Sequence, residues 1–245
     1  MEVSLLTVFA SEVFGTATLL AFGIGVAANL QLVKTYGAGG TTLMGAFGWG
    51  LGVFSGVYIA SASGAHLNPA VTIGLLTSGA ADYAPNVPVS LASTLTYFGG
   101  EMLGALIGTL LAWLIYRPQW NATPDAGLKL SAFATRPTMR NLPQNFLAEV
   151  IATFFLVFII LTQGAGGTPT GLGPLATALV VIGIGITMGG TTNWSLNPAR
   201  DIAGRFMHMI LPIKGKGSSD WVYEIVGAGG PIIGGILAGV AKIFW

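Results

Sequence analysis

Six long apolar runs divide the sequence, and each is long enough to cross a lipid bilayer. The runs lie near residues 5–32, 42–62, 91–116, 145–166, 172–190 and 222–244. A spanning helix needs ~20 mainly apolar residues, so each run predicts one transmembrane helix. Charged residues make up only 8% of the 245 residues, against roughly 25% in soluble domains, which is too few to cover a water-facing surface. The sequence therefore predicts a membrane protein and excludes a soluble enzyme and a disordered chain.

Composition narrows the possible kinds of site. The net charge of +1 gives no electrostatic basis for binding nucleic acid, and the absence of cysteine removes disulfides and thiolate metal sites. We predict no metal site, because His66 has no second ligand nearby, and no cofactor. Glycine, at 37 residues, is about twice as frequent as its ~7% average. Close contacts between membrane helices are predicted where glycines recur every four residues: Gly48, Gly52, Gly56, Gly100, Gly104 and Gly108.

Two shorter apolar segments, near 68–77 and 197–209, cannot cross the membrane. Each opens with the same triplet: Asn68, Pro69 and Ala70 in the first, and Asn197, Pro198 and Ala199 in the second. Asn is a strong N-cap, and Pro at the first helical position gives up no hydrogen bond. Each triplet therefore predicts the start of a half-helix inside the membrane.

The order of the segments is the same in both halves of the chain: span, span, half-helix, span. The surroundings of Glu12 resemble those of Glu149, and the glycine-containing runs 103–108 and 229–234 also correspond. Because each copy has three spans, the second must enter from the opposite side, which predicts an inverted repeat. We predict a single domain over residues 1–245, with repeats near 1–118 and 141–245 joined by a loop over 117–144. The two half-helices are then expected to meet N-terminus to N-terminus near the midplane.

These residues resemble the major intrinsic protein family, the aquaporins and glycerol facilitators. The resemblance rests on the runs SGAHLNPAVT at 63–72 and SLNPARD at 195–201, and the paired glutamates and glycines extend it over the whole chain. It implies an all-α membrane fold with six transmembrane helices and two half-helices per protomer. It also implies a homotetramer with one pore per subunit and cytoplasmic termini.

Within the family, the chain resembles the glycerol-facilitator branch. Asp201 and Arg205 stand where water channels typically place small residues. Gly185 replaces the usual His of water channels and is expected to leave the space that His would fill. Trp194 stands where glycerol channels commonly have the smaller Phe. By this resemblance, four residues form the constriction: Trp49, Gly185, Trp194 and Arg200. The chain departs from the branch at Gly227 and Ala228, where Pro-Leu is frequent, and in a loop one residue shorter before the first triplet.

The half-helices predict how such a pore excludes ions. Each directs the positive end of its dipole, roughly +0.5 charge, at the midplane, which opposes cations, protons included. Asn68 and Asn197 are expected to cap these ends and to leave amide N–H groups facing the pore. Irregular backbone at this depth is tolerated where it lines a cavity. Pore-lining carbonyls are therefore expected before each half-helix, at Gly64, Ala65, His66, Leu67, Asn193, Trp194 and Ser195, and also at Leu196.

Charged residues at membrane depth each allow two interpretations. A lone Arg inside a span costs from ~2.5 to over 10 kcal/mol. Arg200 is thus expected to face a wet pore and donate to solute hydroxyls, with a purely structural ion pair to Asp201 as the alternative. Glu12 and Glu149 are expected to accept N–H bonds from the two loops, with proton relay as the alternative. Glu101 stands where the family usually has Gln, and no function is predicted for it.

The predicted function is a passive channel, not an enzyme, for glycerol, water and other small uncharged solutes in the plasma membrane. A proton-coupled secondary transporter stays possible, because that class shares inverted repeats and buried acids, as does a non-conducting structural protein. The preferred solute is also open among glycerol, dihydroxyacetone, urea, hydrogen peroxide and protonated lactic acid. Most Lys and Arg residues fall in segments that the family places outside, which opposes the positive-inside rule, and we follow the resemblance.

Overall fold

The computed structural model describes residues 3–163 and 172–245, and within them it contains ten α-helices and one small antiparallel sheet. The helices are α1 (Leu5–Gln31), α2 (Thr42–Ile59), α3 (Pro69–Thr77), α4 (Leu91–Ile115), α5 (Arg117–Ala122), α6 (Ala126–Phe133), α7 (Leu142–Gln163), α8 (Gly173–Thr187), α9 (Pro198–Ile210) and α10 (Gly230–Lys242). The strands are β1 (Asp82–Ala84) and β2 (Val87–Pro88).

Five apolar segments are long enough to cross a membrane, and a sixth helix is shorter. The five are α1, α2, α4, α7 and the segment Trp221–Lys242, in which a 3₁₀ turn and a π-helical turn precede α10. The predicted span 172–190 forms α8, which has 15 residues and rises about 22 Å at 1.5 Å per residue. It ends at Thr187, and just beyond it Gly189 lies so close to the indole of Trp194 that a side chain there would collide with the ring. The end of the predicted span 145–166 lies outside the described residues.

The two half-helices, α3 and α9, begin at the predicted triplets. Oδ1 of Asn68 accepts a hydrogen bond from the backbone N–H of Ala70 at 2.9 Å, and Oδ1 of Asn197 accepts one from Arg200 at 3.2 Å. Each Asn therefore satisfies one of the N–H groups that a helix start leaves free. With 9 and 13 residues, α3 and α9 rise about 14 and 20 Å, too little to cross a bilayer.

Two connections between helices contain secondary structure that was not predicted from the sequence. The predicted joining loop 117–144 contains α5 and α6, and Trp120 of α5 stacks on Phe133 of α6 with ring centroids 4.2 Å apart. Both side chains are fully buried in one core cluster with residues of α1, α4 and α9. The β1–β2 hairpin is a small departure from an all-α fold, and Tyr83 on it contacts the loop that precedes α3.

Glycine lets the membrane helices approach closely, as predicted from the four-residue spacing. A Cβ at Gly104 would lie 2.5 Å from the carbonyl oxygen of Val13, and one at Gly108 would overlap the carbonyl oxygen of Ala17. On the other side of α1, a Cβ at Gly56 would lie 2.7 Å from the oxygen of Gly15. In lipid the hydrophobic effect does not drive helices together, and the close packing at these glycines takes its place. In this half of the bundle, α2 and α4 therefore both pack closely on α1.

Adding one methyl group at this contact is expected to destabilise the protein. Gly108→Ala must displace the α1 backbone, and overpacking of this kind costs about 1–3 kcal/mol. Gly25→Ala is the matched control on α1, because a Cβ there meets nothing within 4 Å. Thermal unfolding in detergent should show a lower midpoint for Gly108→Ala and an unchanged one for Gly25→Ala. Equal midpoints would contradict the close contact.

Candidate functional site

Two buried carboxylates hold the irregular segments that precede the half-helices. Glu12 of α1 accepts backbone hydrogen bonds from His66 at 3.0 Å and Leu67 at 2.7 Å, and a third bond from the Ser63 hydroxyl at 2.6 Å. Glu149 of α7 accepts from the N–H groups of Ser195 and Leu196 at 2.9 and 3.1 Å. Both side chains are fully buried, and each occupies the same place relative to its half-helix.

The backbone of both segments is held in an uncommon conformation. Ala65 and Leu67 have φ angles of 57° and 54°, and Asn193, Trp194 and Leu196 have φ angles of 66°, 32° and 56°. Non-glycine residues rarely adopt positive φ, and such strain persists where surrounding contacts determine it. Here the glutamates draw successive N–H groups to one side of the chain. Residues of both segments line one interior cavity.

The N-termini of α3 and α9 meet through reciprocal hydrogen bonds. Nδ2 of Asn68 donates to the carbonyl oxygen of Leu196 at 2.9 Å, and Nδ2 of Asn197 donates to that of Leu67 at 2.8 Å. Each amide nitrogen carries two hydrogens, so one N–H of each Asn is left for a ligand. Both residues line the interior cavity.

Two cavities lie end to end beside these segments. The interior cavity, of about 140 Å³, has the two Asn side chains and the strained segments as polar lining, and its apolar lining comprises Leu19, Val53, Val57, Val71, Leu156, Ile160 and Val181. The second cavity, of about 310 Å³, has polar and cationic lining that includes Gln31, Thr41, Thr42, Ser131, Arg136, Thr138 and Asn193. Trp49 and Trp194 line both cavities and are the residues they share. The two indoles therefore stand at the passage between them.

The indole of Trp194 lies beside Gly185. Gly185 does not line either of these two cavities. A Cβ there would lie 3.3–3.4 Å from atoms of the Trp194 indole and 3.1 Å from Cβ of Ala46. The space expected beside Gly185 is thus filled by Trp194, the residue bulkier than the expected Phe. Because Gly185 and Gly189 have no side chains, the indole can pack closely against both residues.

Arg200 combines both interpretations that its sequence position allowed. Its Nη1 donates to Oδ1 of Asp201 at 2.8 Å, and its guanidinium carbon lies 5.0 Å from the ring centroid of Trp49. The side chain is only 3% exposed but lines the interior cavity. Arg carries five N–H donors, so the ion pair leaves other donors for a solute. The ion pair with Asp201 orients the guanidinium and does not remove it from the cavity.

Asp201 and Arg205 link Arg200 to the segment that follows α6. The carboxylate of Asp201 also accepts from the backbone and the hydroxyl of Thr135, at 2.6 and 2.7 Å, and from Nε of Arg205 at 2.8 Å. Oε2 of Glu224 lies 2.8 Å from the same Nε. Because the single Nε–H donates to Asp201, Glu224 lies beside Arg205 without a hydrogen bond. Thr135 was not found from the sequence, because it is 66 residues away and in no recognisable motif.

Gly227, one of the departures from the branch pattern, packs against this cluster. A Cβ there would collide with Oδ2 of Asp201, and the carbonyl oxygen of Gly227 accepts from the Ser195 hydroxyl. It lies in the π-helical turn Ile225–Gly229. A residue without a side chain is therefore required at this position, where the last span passes the Asp201 carboxylate.

His66 and Glu101 lie behind the first strained segment. Nδ1 of His66 is 2.8 Å from the Thr72 hydroxyl, and its Nε2 is 3.3 Å from the carbonyl oxygen of Tyr83. The same Thr72 hydroxyl lies 2.7 Å from Oε1 of Glu101, which is fully buried on α4. His66 thus bonds beyond its own loop, to α3 and to the hairpin.

Comparison with known proteins identifies relatives along the whole chain. The model of the family described as Major intrinsic protein matches residues 1–242. A glycerol uptake facilitator protein of Bacillus subtilis (strain 168) is 44% identical over 236 residues, covering 96% of this chain and 83% of the relative. Glycerol uptake facilitator protein 3 of Lactiplantibacillus plantarum is 42% identical over 227 residues, covering 92% and 91%. The X-ray structure of the aquaglyceroporin from Plasmodium falciparum matches with a TM-score of 0.82 and 30% identity, covering 96% and 94%.

Proposed function

We propose that this chain, which belongs to the major intrinsic protein family, is a passive membrane channel for glycerol and other small uncharged solutes. The predicted family and all-α membrane fold are confirmed by the family match and by the aquaglyceroporin structure. Relatives named glycerol uptake facilitators, at 42–44% identity, support glycerol as the solute. The observation that carries the proposal is the interior cavity, whose lining combines many apolar side chains with the polar residues Asn68, Asn197 and Arg200.

A polyol fits such a cavity because its two sides differ. Hydroxyl groups can donate to the carbonyls of the strained segments and accept from the free N–H groups of Asn68 and Asn197. The C–H groups then face Leu19, Val53 and the indoles, where water would find no partner. Each hydrogen bond that the polyol loses with water is replaced by one with the cavity lining. No hydroxyl group is therefore left buried and unpaired as the solute passes. We propose that this matching lets glycerol pass without a conformational cycle.

Cations that enter the cavity meet positive charge instead of groups that replace their water. The positive ends of α3 and α9 face each other near the cavity, each worth roughly +0.5 charge, and Arg200 adds a full charge. A cation entering from either side meets this potential, and a proton wire is interrupted where water must accept from both Asn residues. We propose that Asn68, Asn197 and Arg200 together exclude cations and protons.

The narrowest point is proposed to be formed by Trp49, Trp194 and Arg200, with Gly185 acting indirectly. The shared lining of the two cavities by the indoles supports this position, and the 5.0 Å contact between Arg200 and Trp49 supports a common wall. Gly185 contributes by admitting the Trp194 ring rather than by widening the pore.

Several finer features are proposals that follow from the family. We propose inverted repeats near 1–118 and 141–245, which the matching contacts of Glu12 and Glu149 support. We also propose a homotetramer in the plasma membrane with cytoplasmic termini. Protease accessibility of tags at either terminus in sealed cells tests the orientation, and native mass spectrometry tests the tetramer.

Light scattering from reconstituted vesicles tests the proposed channel. An inward gradient of glycerol should cause rapid swelling whose rate is proportional to the gradient and does not saturate. Urea, dihydroxyacetone and lactic acid at acid pH, tested in the same way, rank the solutes. A rate that saturates with concentration would favour a carrier, and no difference from empty vesicles would favour a structural protein.

Replacing Trp194 with phenylalanine is expected to admit larger polyols. Removing part of the indole widens the passage between Trp49 and Trp194, and pocket changes of this size are worth about 1–3 kcal/mol. The permeability ratio of a five-carbon polyol to glycerol should therefore rise by tenfold or more. Trp113→Phe is the matched control, because Trp113 is buried in the core and does not line either cavity. An unchanged ratio in Trp194→Phe would remove Trp194 from the constriction.

A further inference from the structure

The hydrogen bonds around Thr72 restrict where protons can lie on its two buried neighbours, His66 and Glu101. The Thr72 hydroxyl contacts Nδ1 of His66 at 2.8 Å and Oε1 of Glu101 at 2.7 Å, but it carries one hydrogen and can donate to only one of them. On the far side of the imidazole, Nε2 lies 3.3 Å from the carbonyl oxygen of Tyr83. A carbonyl oxygen only accepts, so Nε2 must carry a hydrogen.

Two arrangements satisfy all three contacts. In one, Glu101 is a neutral acid that donates to Thr72, and Thr72 donates to Nδ1 of a neutral His66. In the other, His66 is an imidazolium that donates to Thr72, and Thr72 donates to an ionised Glu101. Both arrangements hold one proton more than a neutral imidazole paired with a carboxylate. The network therefore carries a bound proton in either case.

The surroundings favour the neutral arrangement. Glu101 is fully buried and has no cation at ion-pair distance among the described residues. The groups that face the network are Glu12 from α1, Tyr83 from the hairpin and Tyr97 from α4. An ionised Glu101 would place a second negative charge near Glu12, and separating charges in a dry interior costs several kcal/mol per ion.

We propose that Glu101 is a neutral carboxylic acid that positions the first pore segment by donating a hydrogen bond through Thr72 to His66. The imidazole is stacked on Tyr97 with ring centroids 4.0 Å apart. Its backbone N–H is held by Glu12, so its side chain and its main chain are fixed from different helices. The other oxygen, Oε2 of Glu101, is buried and has no hydrogen-bond partner among the described residues. Glu101 therefore acts on the segment that carries the pore carbonyls and the first Asn without touching the cavity.

This positioning role predicts which substitutions preserve the network. Glu101→Gln keeps a donor toward Thr72 and carries no ionisable group, so glycerol flux should stay near that of the wild type at mildly acid and mildly alkaline pH. Glu101→Leu removes the donor to the Thr72 oxygen, so Thr72 and the His66 imidazole that it holds are no longer fixed from α4. Flux should fall about fivefold or more, since an unpaired buried group costs about 1–3 kcal/mol. Thr72→Val interrupts the same chain, so it should cause a similar loss.

Infrared difference spectroscopy on the reconstituted protein, with flux from the same vesicles, tests the proposal. The wild-type minus Glu101→Gln spectrum should show a carboxylic-acid C=O band, and the double variant Glu101→Leu/Thr72→Val should lose no more flux than either single variant. A carboxylate band instead, a loss of flux in Glu101→Gln, or additive losses in the double variant would overturn it. If Glu101→Leu does not fold, Thr72→Val supplies the flux comparison. The inference rests on the proposed channel only for the flux measurement. The infrared spectrum shows whether Glu101 is protonated even if the wild-type protein does not conduct glycerol.

Discussion

Replacing Arg200 with valine is expected to raise the leak of cations through the pore by tenfold or more. The substitution removes a positive charge from the cavity wall while Asp201 keeps its bonds to Thr135 and Arg205. A unit charge about 5 Å away is worth roughly 3 kcal/mol at an effective dielectric constant of 20, and each 1.36 kcal/mol is tenfold in rate. Potassium and proton permeability of vesicles, measured by ion-sensitive dyes, should therefore rise while glycerol still passes.

The control for this substitution is Arg200→Lys. Lysine keeps the positive charge and can still pair with Asp201, so the leak should stay low even if glycerol flux changes through the lost planar donors. Size-exclusion profiles check that both variants fold. A leak in Arg200→Val equal to that of the wild type would show that the half-helix dipoles alone exclude cations.

Exchanging Asn68 for aspartate is expected to damage both conduction and selectivity. The carboxylate can still cap α3 by accepting from Ala70, but it cannot donate to the Leu196 carbonyl, which lies 2.9 Å from Nδ2 in the wild type. The two oxygens would repel, and the pore would lose an N–H donor. A lost partner of this kind costs about 1–3 kcal/mol, so glycerol flux should fall about tenfold, and the added negative charge should admit cations.

Asn121→Asp is the matched control for the same chemical change. Asn121 lies on α5 away from both cavities, and its Oδ1 accepts from the backbone N–H of Lys214 at 3.1 Å, which an aspartate can also do. Its flux and leak should match the wild type. Asn197→Asp should reproduce the Asn68→Asp result through the Leu67 carbonyl. Normal glycerol flux in both pore variants would mean that the amide donors are not used.

Local rules predicted most of the fold. Apolar runs gave the spans, and the two Asn-Pro-Ala triplets gave the starts of α3 and α9, because capping and the missing proline N–H act within a few residues. The contact of Trp194 with Gly185 and Gly189 and the stacking of Trp120 on Phe133 were not predicted. Such side-chain contacts leave no periodic signal in the sequence.

Residues of the candidate site that belong to a motif could be predicted from the sequence. Residues whose role depends on a contacting side chain were harder to predict. Asn68, Asn197 and Arg200 were found from the motifs. Gly185 was predicted at the constriction, but its effect depends on which side chain occupies the adjacent space. The contacts of Thr135 and Glu101 could be seen only in the structure, because their partners lie 66 and 29 residues away.

The most direct test of a passive, proton-excluding pore combines two measurements on one set of vesicles. Light scattering follows glycerol entry while an internal dye follows luminal pH, with the membrane potential clamped by potassium and valinomycin. We expect fast glycerol entry with no change in luminal pH beyond that of empty vesicles. Luminal acidification in proportion to the glycerol that enters would contradict the channel and indicate proton-coupled transport.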